Sequence, residues 1–350
     1  MISNNSGFLE LLNKFSADFA PFSERFFSKR SSEVTKYPKL IGDFYEDLED
    51  VSKGGKRMRG FLVYLGYIIG GGRDTQSILP IALAVEIIHT FLLIHDDIID
   101  KSDNRRGKVT VHKRYEKVFG AHYGTSQAIV LGDIAGFEAL KLVNSSGFSN
   151  RQKIECQNKL YDVILETAYG EALDVLYSYK GAEIADIMAV SDLKTARYSF
   201  VGPLSIGMAF GKHSKKQLIA VEKFGQLVGT VFQLQDDYLG VFGDEEVLGK
   251  SVLSDMREGK NTLLVYKTKE LAAKQDLAKL NKIWGKRNGT NVDLGTVKKI
   301  ILDSGADKWC AGEMKRLSEG AKKHVLTITA DKKLREILFQ TVDFVVTRKS

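Results

Sequence analysis

From Leu9 onward the apolar residues recur at intervals of three and four, and strict alternation of apolar and polar positions is scarce. A helix that turns one stripe of side chains toward a core imposes that period. Long helices are predicted over Ile78 to Asp100, Arg151 to Leu176, Leu218 to Phe242 and Thr296 to Leu317. Breaks are predicted at Gly70-Gly71-Gly72-Arg73-Asp74, Asn144-Ser145-Ser146-Gly147 and Gly285 to Gly289, where glycine and short polar side chains stop a helix. The stripes are too apolar for surface decoration. The predicted class is therefore all-α, a single large helical bundle around a central cavity. No internal repeat of roughly 20–50 residues and no Pro- or Ser-rich linker interrupts the chain, so one domain over residues 1–350 is expected.

The most membrane-like stretch, Ile78 to Ile94, is interrupted by Glu86, His89 and Thr90 and runs directly into Asp96 and Asp97. It reads as a buried core helix, not a membrane span. Leu93-Ile94-His95-Asp96-Asp97 has an echo in Gln233-Leu234-Gln235-Asp236-Asp237, each a double aspartate at the end of a long apolar helix. Two such helices are expected to face each other across a cavity. Burying an unpaired carboxylate costs several kcal/mol, so these residues sit at a wet mouth of the fold or bind something cationic.

Composition narrows this picture only a little. The chain has 350 residues, 43% of them hydrophobic, enough for a large core. Four prolines and 32 glycines argue against disorder. Cys156 and Cys310 are far apart and in no metal-ligand spacing, so neither a disulfide framework nor a zinc cluster is expected. Met1 to Phe19 lacks the apolar core and cleavage site of a signal peptide, which makes the cytoplasm the expected compartment. Lys and Arg outnumber Asp and Glu by 51 to 44, a surplus of +7 that suits nucleic acid, anionic lipid or diphosphate alike. Where the cations fall decides among these.

In Asp96-Asp97-Ile98-Ile99-Asp100, positions 96 and 100 lie one helical turn apart on the same face. Such a pair is either a solvated acidic helix end or, with its oxygen-only donors, a seat for Mg²⁺. Asp103-Asn104-Arg105-Arg106-Gly107 follows at once, and guanidinium grips phosphate oxygens bidentately as readily as it pairs with carboxylates. Upstream, Gly54-Gly55-Lys56-Arg57-Met58-Arg59-Gly60 places three cations between a flexible glycine pair and an apolar helix. It lacks the spacing of a P-loop and by itself is equally a basic surface loop. Lys194-Thr195, Gly249-Lys250-Ser251 and Ser254-Asp255-Met256-Arg257-Glu258-Gly259-Lys260-Asn261-Thr262 add lysines around the second acidic pair. Ideal helix geometry puts His89 within about 20° of Asp96 and Asp100, on one stripe.

The ordered set GGKRMR, LIHDDIID, RRG, LKTA, FQLQDD and GKSVLSDMREGKNT resembles the trans-type isoprenyl diphosphate synthases, from Gly54 to Thr262 within a motif-bearing core of residues 50–265. The resemblance implies the isoprenoid synthase fold and a prenyltransferase that condenses isopentenyl diphosphate with an allylic diphosphate. It implies about three Mg²⁺ ions held directly by Asp96, Asp100 and Asp236, with Asp97 and Asp237 in support. Arg105, Lys194, Lys250 and Lys260 would hold the allylic diphosphate, and Lys56, Arg59, His89 and Arg106 the isopentenyl diphosphate. Thr195 and Gln233, with Lys194, match positions near the allylic cation. The family also implies a homodimer.

Two residues depart from the family pattern. Gly60 stands where a proline commonly ends the basic motif, which is expected to change only local stiffness, and Gly240 replaces the third aspartate of the second acidic motif, which leaves Asp236 able to serve. Tunnel depth in the family follows the bulk of the fourth and fifth residues before the first aspartate, here Leu92 and Phe91. That pairing implies geranylgeranyl diphosphate as product, with farnesyl diphosphate the close alternative. Three rival readings are weaker. A non-catalytic partner subunit would lose motif residues, which are complete here except at Gly240. A terpene cyclase needs no second diphosphate site such as Lys56, Arg59 and Arg106 provide. A nucleic-acid binder would not set its cations beside carboxylates.

Overall fold

The structure, a computed structural model, describes residues 6–248 and 251–348. In chain order the helices are α1 (Ser6–Glu33), α2 (Lys39–Ser52), α3 (Met58–Ile69), α4 (Leu79–Ile99), α5 (Val111–Phe119), α6 (Ala121–Ser145), α7 (Asn150–Lys180) and α8 (Ile184–Val190). A π-helical segment, Ser191–Val201, leads into α9 (Gly202–Ala209), α10 (Lys215–Phe242), α11 (Glu245–Leu248), α12 (Ser254–Glu258) and α13 (Leu263–Leu271). The remaining helices are α14 (Lys274–Ile283), α15 (Asn291–Ser304), α16 (Ala306–Ile328) and α17 (Lys332–Thr347). Among the described residues the only strands are a two-residue antiparallel pair, β1 (Asn104–Arg105) and β2 (Lys108–Val109).

By packing, the chain forms two compact units: residues up to Tyr161 together with Gly202–Lys215, and Asp162–Val201 together with the residues from Lys216 on. In the first unit α4 is buried on nearly every side, Ile81 through Ile88 being all but inaccessible. By length and composition it is the one helix among the described residues apolar enough to cross a membrane. Burial of 67% of its most apolar window fits a core helix. Phe8, Phe15, Phe61 and Tyr64 clasp α1 to α3 through ring contacts of 5.3–6.0 Å. Helices α3 and α9 meet backbone to backbone, because a methyl group at Gly207 would lie only 2.0 Å from the Val63 carbonyl oxygen.

In the second unit the buried faces of α13, α15, α16 and α17 supply Leu264, Val297, Ile301, Val325, Leu338 and Val342. The helix expected over Thr296 to Leu317 is instead two, α15 and α16. Gly305 separates them in the left-handed conformation (φ 78°), closing one helix and opening the next. The apolar period runs through this break without showing it. The other three long helices form where the period predicts them. Cys156 and Cys310 are both free and buried, and burial pushes each thiol up to about 12.

Candidate active site

In the first unit, α4 ends at Ile99 with Asp100 as its C-cap, so Asp96 and Asp100 stand one turn apart as the spacing predicts. The chain returns at once through the β1–β2 hairpin. Its two loop residues, Arg106 (φ 53°) and Gly107 (φ 74°), both have positive φ, a conformation that arginine adopts only when its surroundings demand it. This turn sends two consecutive arginines to different places. Arg105 donates from Nε to Asp97 Oδ1 at 2.7 Å and from Nη2 to Asp96 Oδ2 at 2.8 Å. The guanidinium of Arg106 lies beside Gly55, where an added methyl group would come within 3.3 Å of Nη2. The first acidic motif and the basic loop are therefore joined through this hairpin.

Asp97 is the buried member of its motif. Burial pushes its carboxyl up to about 6, against the pull of Arg105 and with Asp96 and Asp100 adding to the rise. It anchors Arg105.

The basic loop enters α3 through Gly54, Gly55 and Arg57, all at positive φ. Arg57 approaches Glu86 Oε2 at 3.8 Å, and Arg59 Nη1 donates to His89 Nε2 at 3.2 Å. Because arginine can only donate, Nε2 is the acceptor and the ring proton sits on Nδ1. Burial, reinforced by Arg59, Arg106, Arg105 and Arg57, drives the His89 pKa well below its ordinary value. His89 is thus a neutral, satisfied partner of a cation. Lys56 lies exposed in the loop.

Glu86 was not legible as a functional residue, although it lies one turn before His89 on α4. It is buried, and its Oε1 accepts the Gly60 backbone N–H at 2.7 Å. Gly60 is therefore more than a change in local stiffness, since a proline has no N–H to give. Gly60→Pro is expected to lower stability by about 1–3 kcal/mol, because a buried carboxylate loses its closest donor. Thermal and urea unfolding check this, and an unchanged midpoint would dissociate that hydrogen bond from stability.

In the second unit the π-helical segment carries Lys194 and Thr195. Glycines on both neighbouring helices admit it. A methyl group at Gly170 of α7 would lie 2.5 Å from the Lys194 backbone nitrogen, and one at Gly229 of α10 would lie 2.3 Å from Ala196 Cα. Lys194 Nζ is held at 2.7 Å by both Glu171 and Asp174, one turn apart on α7. Thr195 Oγ1 donates to Gln233 Oε1 at 2.7 Å, and Gln233 Nε2 donates to Asp237 Oδ1 at 2.7 Å. Burial pushes Asp237 up to about 8 against the Gln233 hydrogen bond, with Asp255 and Asp236 adding and Lys260 opposing. The shift favours the protonated carboxyl, which spares the interior a charge.

Asp236, more exposed than Asp237, accepts a hydrogen bond from Arg348 Nη2 at 3.0 Å. Lys260 lies 3.2 Å from Glu258 and 3.6 Å from Asp255. The absence of a carboxylate at position 240 has a structural counterpart. A methyl group at Gly240 would lie 2.2 Å from Asp255 Oδ2, so a buried carboxylate from α12 occupies that space. Lys250 lies outside the described residues. His95 packs on α6, its Nε2 3.2 Å from the Ile129 carbonyl oxygen, while its ring lies 4.8 Å from that of Phe91 on its own helix.

Residues 43–301 match the family described as Polyprenyl synthetase. The geranylfarnesyl diphosphate synthase of Aeropyrum pernix is 32% identical over 304 residues, covering 85% of this chain and 92% of that protein. The geranylgeranyl diphosphate synthase of Methanosarcina mazei is 30% identical over 301 residues, covering 85% and 87%. A crystal structure of geranylgeranyl pyrophosphate synthase from Corynebacterium glutamicum, complexed with isoprenyl diphosphate and magnesium, superposes with a TM-score of 0.90. At 28% identity it covers 96% of this chain and 99% of that one.

Proposed function

This chain belongs to the polyprenyl synthetase family and is a prenyltransferase with the isoprenyl synthase fold, and from that premise we propose that it condenses isopentenyl diphosphate, head to tail, with an allylic diphosphate. The proposed reaction depends on Mg²⁺ and ends at geranylgeranyl diphosphate. The observation that carries this reading is that each aspartate-bearing helix segment has an arginine of its own, Arg105 on Asp96 and Asp97 and Arg348 on Asp236, with further arginines and lysines in the basic loop and around the second motif. A prenyl transfer between two diphosphates requires both kinds of side chain.

The donor set fits Mg²⁺. Asp96 and Asp100 offer oxygen only and repel one another unless a cation intervenes, and Asp236 repeats that chemistry. We assign these three as direct ligands, with Asp97 and Asp237 in support. When bound, Mg²⁺ neutralises the charge that grows on the departing diphosphate. Arg105, Lys194, Lys250 and Lys260 are assigned to the allylic diphosphate, and Lys56, Arg59, His89 and Arg106 to isopentenyl diphosphate. The chain needs no nucleophile of its own. Carbon–oxygen cleavage leaves an allylic cation, the double bond of isopentenyl diphosphate attacks it, and a proton leaves to the released diphosphate. Thr195 and Gln233, joined by their hydrogen bond, are assigned to stabilise that cation through their oxygens, an assignment supported by the short Gln233–Asp237 link that orients the amide.

Residues 1–350 are proposed to act as one synthase domain in the cytoplasm, a compartment supported by two unpaired, buried cysteines. A homodimer is supported by exposed apolar side chains at Phe119 of α5 and at Ile129, Val130 and Phe137 of α6. Product length rests on Phe91 and Leu92. Phe91 packs on His95 and beside Gly136 of α6, on the flank of the aspartate stripe, so its influence on tail length comes through the α4–α6 contact.

The test is a product assay. The protein is incubated with Mg²⁺, isopentenyl diphosphate and dimethylallyl, geranyl or farnesyl diphosphate in turn, and products are sized after dephosphorylation. Geranylgeraniol as end product is expected. A farnesol end point keeps the reaction and overturns the length assignment, while no elongation from any starter points to a non-catalytic, prenyl-diphosphate-binding partner subunit.

A further inference from the structure

We propose that Arg348, more than one hundred residues from the second acidic motif in sequence, is a positioning residue for Asp236. This inference rests on the assignment of Asp236 as a metal ligand. Arg348 follows α17 with an extended backbone (φ −61°, ψ 146°), and its side chain is only 8% exposed. Its guanidinium lies over the Phe232 ring, 3.7 Å from the centroid. From there Nη2 donates both to the Phe232 carbonyl oxygen and to Asp236 Oδ1, each at 3.0 Å. The backbone closes the arrangement, with Gln235 Nε2 donating to the Arg348 carbonyl oxygen at 3.1 Å. Three residues of a single turn of α10 thus hold one arginine, and that turn opens the second acidic motif.

The physical consequence follows from each contact. A carboxylate on a helix end rotates about its last side-chain bond, and a ligand that must be frozen before it binds loses affinity. The guanidinium is planar, and stacking on Phe232 fixes its plane, so its N–H fixes the position of Oδ1 and the plane in which the second oxygen is presented. The buried cation also offsets the negative charge of Asp236. A lysine carries the charge without the plane or the stack. A residue that served only to tie α17 to α10 would lower stability when removed and leave metal binding where it was.

The experiment measures Mn²⁺ binding in the presence of inorganic pyrophosphate, by the loss of the free-ion electron paramagnetic resonance signal. Full-length parent, Asp236→Asn, Arg348→Ala, Arg348→Lys and the Asp236→Asn/Arg348→Ala double variant are compared, with thermal unfolding recorded for each. Arg348→Ala is expected to weaken binding by about 10-fold or more, as loss of a hydrogen-bonding partner behind a metal ligand does. Arg348→Lys is expected to recover part of this, and the double variant to bind no more weakly than Asp236→Asn. Binding by Arg348→Ala equal to or tighter than the parent's overturns the positioning role, as does a fully additive loss in the double variant. Unchanged binding by Asp236→Asn overturns the underlying metal assignment instead, so the two failures are distinguishable.

Discussion

Asp96→Asn is expected to lower the turnover number for elongation by about 10³-fold, equivalent to roughly 4 kcal/mol of transition-state stabilisation. Asparagine keeps the shape of the side chain and an oxygen that can accept from Arg105 Nη2, but it removes the charge that makes the side chain a Mg²⁺ ligand. The fold is expected to survive. Asp97, not Asp96, is the buried acid of the pair, and a partly exposed ion pair contributes at most about 1 kcal/mol. The check is a set of initial rates at saturating substrates across a wide range of Mg²⁺ concentration, alongside the melting temperature. A turnover number within tenfold of the parent's, at unchanged stability, would remove Asp96 from the metal site and with it the central assignment of the first acidic motif.

The second large effect comes from a residue with no chemistry of its own. Gly229→Ala places a methyl group 2.3 Å from both Cα and Cβ of Ala196, well inside contact distance, so α10 or the π-helical segment must move by about an ångström. Ala196 adjoins Thr195, and Gln233 lies one turn beyond Gly229. The 2.7 Å hydrogen bond between Thr195 and Gln233 therefore bridges the two elements that are forced apart. A displacement of that size at groups aligned with a reacting carbon costs on the order of 10²-fold in turnover. Stability is expected to fall by about 1–3 kcal/mol as well. Gly312→Ala, on the exposed face of α16 with nothing within 4 Å, is the matched control and is expected to hold or gain stability. Equal turnover in the two variants would mean that the placement of Thr195 and Gln233 does not govern the rate.

These two predictions draw on different layers of information. Asp96 and Asp100 could be read from the chain alone, because their spacing is a property of helix geometry and holds wherever the helix goes. The same is true of His89 on that stripe, of the breaks at Gly70 to Asp74 and Asn144 to Gly147, and of three long helices, two of which carry the acidic motifs. Gly305 escaped because apolar period and helix continuity are separate properties, and one left-handed residue ends a helix without altering the spacing of the core positions on either side.

Every residue that the chain pattern missed acts through a partner distant in sequence. Glu86 gains its meaning from the Gly60 N–H, Glu171 and Asp174 from Lys194, Asp255 from the gap at Gly240, and Arg348 from Asp236. Each was visible as a charged residue, and its partner was not. Covalent geometry correlates residues three or four apart, so the sequence by itself determined an all-α chain, its helical segments and the clustering of acids and bases along them. Which carboxylate meets which cation, and which are buried so deeply that their protonation changes, was decided only when packing brought separate helices within hydrogen-bonding distance. At that range, burial and charge act on distances that no spacing along the chain encodes.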